Sequence, residues 1–308
     1  MTNNDQHVKL ESNDAYIWIE TPEPFDFMVN LDYLQRNPKE CMYDITDGII
    51  TRVIDIAGER VLVRIDSPDN RKLRVQFLSD ASLPTRKMVV AYIWEWFDLS
   101  MDLSGFYEWA QYDPLLNEPV ERFYGLRIMG IPDLFETLCW GILGQQINLG
   151  FAYTLKRQFV EKYGDAITFE GMKYWSFPSY ESIAKLSPTD LSDIKMTIRK
   201  SEYIIGIAQL MATGQLAKKK LLSLGDFKQI ENALVAIRGI GPWTANYVMM
   251  RCLRFPNAFP IDDVGLHLAL KQQMGLGRKP TKDEIRKVSV NWKGWEAYAT
   301  FYLWRSKY

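Results

Sequence analysis

Ile237-Arg238-Gly239-Ile240-Gly241-Pro242-Trp243-Thr244-Ala245-Asn246-Tyr247, followed by Ile261-Asp262-Asp263-Val264-Gly265-Leu266, decides how the rest of the chain is read. The first half is a glycine-built turn that opens a helix. Glycine costs a helix interior roughly 1 kcal/mol relative to alanine, so Gly239 and Gly241 are better placed in a turn requiring positive φ. Pro242 suits the first helical position, where its missing N–H is no loss. Such a turn aims backbone N–H groups at a phosphate without any cationic side chain. For the glycines alone, an ordinary helix–helix connection is the simpler explanation. The second half sets two carboxylates at the start of another helix, with Asp263 twenty residues after Trp243. A phosphate-facing turn followed at that interval by an acid points to chemistry on a nucleotide.

The 308 residues suffice for one large or two to three ordinary domains, and with 47% apolar and 13% aromatic residues the chain buries a real core. No apolar run approaches the ~18–20 residues of a membrane span. The first residues lack the basic and apolar regions of a secretory signal. Cys41, Cys139 and Cys252 are odd in number and widely spaced, so neither a disulfide frame nor a zinc or iron–sulfur site is legible. A reduced, cytoplasmic setting is expected. Two histidines, His7 and His267, leave little room for histidine catalysis. The net charge of −1 conceals a division: residues 1–150 hold 13 basic against 24 acidic residues, whereas residues 151–308 hold 24 against 14. Either surface charge has segregated by chance, or an acidic scaffold is joined to a phosphate-facing basic half.

From Ala15 to Ser79 the apolar period is mostly two. Ile49–Ile56, Arg60–Ile65 and Lys72–Leu78 read as strands, Ala15–Ile19 as a further one, and the turns at 57–59 and 67–70 are rich in turn formers. Asn30–Gln35 reads as a short helix, and Met88–Phe97 as a helix packed on the sheet. From Phe106 onward the segments are helical and no strand stands out. The expected fold is α+β: an antiparallel sheet domain with helices over 1–105, then an all-helical region over 106–308, with a cleft between two subdomains of the latter.

The hairpin and its downstream acid resemble the helix-hairpin-helix plus Gly/Pro-Asp signature of the base-excision DNA glycosylase superfamily, closest to the bacterial DNA-3-methyladenine glycosylase II type. Tyr124-Gly125-Leu126-Arg127, Pro132-Asp133-Leu134-Phe135-Glu136, Trp140 to Ile147 and Trp292 to Ala299 match that type in order. The resemblance covers roughly Phe106 to Trp304. It implies a helix-hairpin-helix glycosylase that flips an alkylated purine out of double-stranded DNA and hydrolyses its N-glycosidic bond, leaving an abasic site. It implies Asp263 as catalyst and Asp262 as the cap or support. Charge chemistry agrees: glycosidic cleavage builds positive charge on the sugar, which a carboxylate beneath it stabilises while orienting or deprotonating water. An isolated Asp-Asp pair, by contrast, reads as N-caps.

Family members with lyase activity carry a lysine where this chain has Trp243, and an indole forms no Schiff base. A monofunctional enzyme is therefore implied. Trp243, Tyr247 and Trp295 match the aromatic pocket positions, suited to an N-alkylated, often cationic base. With ten tryptophans in the chain, core packing is the commoner fate of any one. Gln145 and Gln146 match residues near the flipped nucleotide, Gln146 being favoured to fill the gap, although an apolar wedge is familiar there. Gly239, Gly241 and Thr244 are the candidate DNA contacts of the hairpin. Backbone carbonyls of Val235, Ile237 and Gly239 are implied to hold a monovalent cation, Na or K; catalysis is expected to need no cofactor and no iron–sulfur cluster. Lys218-Lys219-Lys220 and the stretch from Arg278 to Lys287 are candidates for further phosphate contacts, against the plainer reading of solvated faces. Cys139, Cys252 and His267 are expected to be structural. Damaged duplex DNA is the expected partner of a monomer with no membrane association. Two other functions fit parts of the pattern: a non-catalytic hairpin module that binds DNA, and an oxidised-base glycosylase with lyase chemistry.

Overall fold

The computed structural model describes residues 8–9, 16–56 and 58–307; His7, Ala15 and Ala57 lie outside them. Among the described residues, six strands form one antiparallel sheet in the order β1-β2-β6-β5-β4-β3. They are β1 (Val8–Lys9), β2 (Tyr16–Glu20), β3 (Asp44–Thr46), β4 (Ile49–Ile56), β5 (Glu59–Asp66) and β6 (Lys72–Phe77). Alternation sets their faces. Ile50 and Ile54 join Val61, Val63, Ile65, Leu73 and Val75 in the main core, while Val53 and Leu62 look the other way. Helices α1 (Phe27–Leu34) and α2 (Leu83–Trp96) accompany the sheet, each opened by a side-chain cap, Asp26 and Ser82 respectively.

The remaining helices are α3 (Ser104–Ala110), α4 (Asn117–Arg122), α5 (Leu134–Leu143), α6 (Leu149–Tyr163), α7 (Tyr180–Ile183), α8 (Ile198–Ala212), α9 (Lys218–Ser223), α10 (Phe227–Val235), α11 (Pro242–Arg251), α12 (Val264–Gln273), α13 (Lys282–Val288) and α14 (Glu296–Ser306). One feature departs from the all-helical expectation: β7 (Ala166–Phe169) and β8 (Met172–Trp175) form a hairpin. Glu170 and Gly171 turn it with φ of 49° and 78°, the positive values a two-residue hairpin turn demands. It covers the outer face of the sheet, where Tyr174, Phe169 and Ile167 pack on Val53 and Leu62.

The segment Tyr124–Arg127 proves to be the joint between sheet domain and helical region. Gly125 has φ of 85°, and a Cβ there would lie 2.5 Å from the Asp26 nitrogen. Its carbonyl accepts from Asp26 N and Asn30 Nδ2, while Asn30 Oδ1 accepts from Arg127 N. The fully buried Arg127 guanidinium donates to the carbonyls of Pro24, Asp98 and Met101. The carbonyl dipoles offset the cost of burying this charge and tie the segments on either side of the joint together.

Candidate active site

The hairpin joins α10 to α11. Only one of its two glycines takes positive φ. Gly239 has φ of 96°, and a Cβ on it would collide with the Tyr203 ring at 2.4–2.9 Å. Gly241 is extended, with φ of −93° and ψ of 177°, and is the N-cap of α11 with open space around it. Its small size leaves room for an approaching group, and Pro242 follows at the first helical position. The N–H groups of Trp243 and Thr244 then fall among the orphan donors of the first turn. The Thr244 side chain does not join them: it is buried, and a Cβ at Gly141 would lie 2.6 Å from its Cγ2. Thus Gly141 in the Trp140–Ile147 segment is the place where α5 closes on α11.

Asp263, and not Asp262, caps α12. Its Oδ1 accepts from Leu266 N at 2.8 Å. Asp262 instead pairs with Lys282 at 2.6 Å on the surface, which corrects the expected division of labour. Two indoles converge on the same carboxylate: Trp304 Nε1 donates to Oδ1 at 2.8 Å and Trp243 Nε1 to Oδ2 at 3.0 Å. Oδ1 therefore has both lone pairs engaged, and Oδ2 keeps one free. His267 is structural, its Nε2 lying 2.8 Å from the Ile261 carbonyl.

The aromatic cluster contains Trp243, Tyr247 and Trp304. Trp243 stacks on Tyr247 with centroids 5.4 Å apart, and Tyr247 faces Trp304 at 6.3 Å. Trp295 is elsewhere: it packs against Phe106 and Tyr298, nine residues and about 13 Å of helix rise from Trp304. Trp304 occupies the place the sequence reading gave to Trp295. Gly265 was also missed. A Cβ there would stand 2.9 Å from Asp263 Oδ1 and 3.3 Å from Trp304 Nε1, so glycine lets the indole reach the acid. A glycine inside the first turn of a helix was the legible signal; nothing in the apolar run of α14 singled out Trp304.

Gln145 and Gln146 part ways. Gln145 Nε2 donates to the Gly239 carbonyl at 2.9 Å and so braces the hairpin. Gln146 is exposed on the turn between α5 and α6, with a left-handed φ of 57°. Such backbone costs a non-glycine residue of order 1–3 kcal/mol and is found where a side chain must be presented. The Ile237 and Gly239 carbonyls accept from Ile240 N and Gln145 respectively, leaving each a second lone pair. With Val235 at the C-terminal end of α10, these neutral oxygens suit a hard monovalent cation. Several basic side chains are committed internally: Lys218 to Glu95, Lys220 to the Gly214 carbonyl, Arg278 to Glu284 and Lys282 to Asp262. Cys139 and Cys252 are fully buried.

A glycine hairpin and a capped acid flanked by two indoles, joined to an antiparallel sheet, define a class. The chain belongs to the HhH-GPD superfamily of base excision DNA repair proteins, whose model matches residues 139–294. Residues 10–138 match the model of the 8-oxoguanine DNA glycosylase N-terminal domain. Among individual proteins, the chain is 60% identical to the DNA-3-methyladenine glycosylase of Bacillus subtilis over 97% of this chain and 99% of that one. It is 31% identical to DNA-3-methyladenine glycosylase 2 of Escherichia coli over 58% of this chain and 60% of that one. Its fold resembles the solved 3-methyladenine DNA glycosylase of Archaeoglobus fulgidus, with a TM-score of 0.78 at 23% identity, covering 94% of this chain and 97% of that one.

Proposed function

We propose that the protein is a monofunctional DNA glycosylase, acting as a monomer, that removes alkylated purines of the 3-methyladenine type from duplex DNA. The carrying observation is the Asp263 carboxylate, held by the N–H groups of Leu266, Trp243 and Trp304 with one lone pair of Oδ2 unused. In this reading the hairpin N–H groups, beside the bare Gly241, receive a backbone phosphate. Gln146 enters the gap left by the flipped nucleotide. The base enters beside Tyr247 and Trp304, whose rings are tilted by 35° with centroids 6.3 Å apart and must part to take it between them.

As the C1′–N bond breaks, its electron pair leaves with the base and positive charge develops on the sugar. Asp263 stabilises that charge and takes a proton from the water whose oxygen bonds to C1′. An alkylated purine is a good leaving group, so no acid beside the base is required. A monovalent cation on the carbonyls of Val235, Ile237 and Gly239 would add positive charge beside the same phosphate. The oxidised-base alternative draws on the description of the N-terminal family model, but Trp243 stands where its lyase chemistry needs an amine.

Incubation with methylated duplex DNA should release 3-methyladenine. Asp263→Asn should lower that rate at least about a hundredfold while duplex affinity stays within about threefold. Borohydride should trap no covalent adduct. A variant that keeps near-normal turnover would remove Asp263 from the chemistry, and a trapped adduct would favour the lyase.

A further inference from the structure

Behind Tyr247, where the sheet domain meets α5, α6 and α11, lies a cavity of about 40 Å³. It has room for a water or two and none for a base. Four cations line it (Arg36, Arg52, Lys156 and Arg251) but only two carboxylates, Glu40 and Glu136. Both acids are spent on Lys156, at 3.0 and 3.2 Å. The three arginines have no carboxylate partner among the described residues. Arg251 donates to the Met129 carbonyl and the hydroxyls of Tyr33 and Tyr247, and Arg36 to the Tyr33 carbonyl.

Arg52 is the least satisfied. It is 4% exposed and occupies a core-facing position of β4 between Ile50 and Ile54, where an apolar side chain would cost nothing. Its Nη2 donates to the Tyr92 hydroxyl at 2.8 Å, and its plane lies over Trp96 at 4.2 Å, yet its Nε has no hydrogen-bond partner. Ring faces and hydroxyl dipoles offset part of a buried charge, but an excess of two positive charges calls for a counter-charge.

We propose that this cavity binds one small monovalent anion of halide size between Arg36 and Arg52 of the sheet domain, in the seam against α5, α6 and α11. The cavity shares Tyr247 with the base site of the proposed function, while Asp263, Trp243 and Trp304 do not line it. Its test uses the full chain, with chloride as the probe. At constant ionic strength, replacing gluconate by chloride should raise the thermal unfolding midpoint in a saturable manner by about 2–4 °C. Arg52→Gln should flatten that dependence. Should Arg52→Gln not fold, Arg36→Gln, at the more open side, carries the same expectation. Crystals soaked in bromide should show anomalous density beside Arg52 Nε. Equal midpoints in both salts, wild-type chloride dependence in a folded variant, or a cavity holding only water after the soak would each overturn the proposal.

Discussion

Replacing Gly265 by alanine separates stability from activity. The position is the second residue of α12 with ordinary helical backbone, so alanine favours the helix by about 0.5–1 kcal/mol. The added Cβ lands 2.9 Å from Asp263 Oδ1 and 3.3 Å from Cδ1 and Nε1 of Trp304, all tighter than normal contact. Oδ1 cannot turn aside without losing the Leu266 N–H that caps the helix. The half-buried indole is the freer partner, so the bond from Trp304 to Asp263 gives way. A hydrogen bond to a charged group contributes about 1.5–3 kcal/mol. If a similar amount is lost from the orientation of Asp263 in the transition state, the rate falls about tenfold to a hundredfold. Single-turnover release of 3-methyladenine, with duplex affinity and urea unfolding in parallel, gives the three quantities. Trp304→Phe removes the same N–H without adding bulk, and the double variant should be little worse than either single one. Wild-type excision by Gly265→Ala, or full additivity with Trp304→Phe, would refute the reasoning.

Gly239→Ala should destabilise the chain by about 2–4 kcal/mol in chemical denaturation, since positive φ and the Tyr203 ring both oppose a Cβ; a loss under about 1 kcal/mol would show that the hairpin yields. Glu40 is buried, which alone would raise its pKa, but the Lys156 ammonium and the N–H groups of Met42 and Cys41 bring it down to about 2. Its contribution is thus fully present above the ordinary carboxylate pKa of 4.5 and is lost as pH falls toward 2, about 3 kcal/mol in all. Unfolding free energies of Glu40→Gln should lack that part of the acid slope, and slopes equal to the parent's would contradict the pairing. Gln146→Ala should slow excision about tenfold with little change in duplex affinity, whereas an unchanged rate would assign gap filling to another residue.

Much of the architecture was legible because its signals are local. Alternation marked β4, β5 and β6 within two residues of their observed ends, and the Gly-Ile-Gly-Pro run marked the start of α11. What escaped depends on partners far away in the chain. The β7–β8 hairpin has two four-residue strands, and its apolar face makes sense only against Val53 and Leu62, more than a hundred residues earlier. Sequence also could not tell which of the hairpin's two glycines is left-handed, nor that the Tyr203 side chain leaves no room for a Cβ at Gly239. The same holds for Trp304. Residues Tyr298 to Leu303 are all buried, so no period along α14 reveals which aromatic turns toward α12.

Asp263 receives its last hydrogen bond from a residue 41 positions further along. At about 5–20 residues per second of synthesis, some 2–8 s pass between the making of the acid and the making of Trp304. In that interval the hairpin residues have been made, while the Asp263 carboxylate lacks one of the three donors that hold it. A product that ends before Trp304 would carry the hairpin without the full set of hydrogen bonds on Asp263. The order of translation places the fastening of Asp263 after the making of the hairpin.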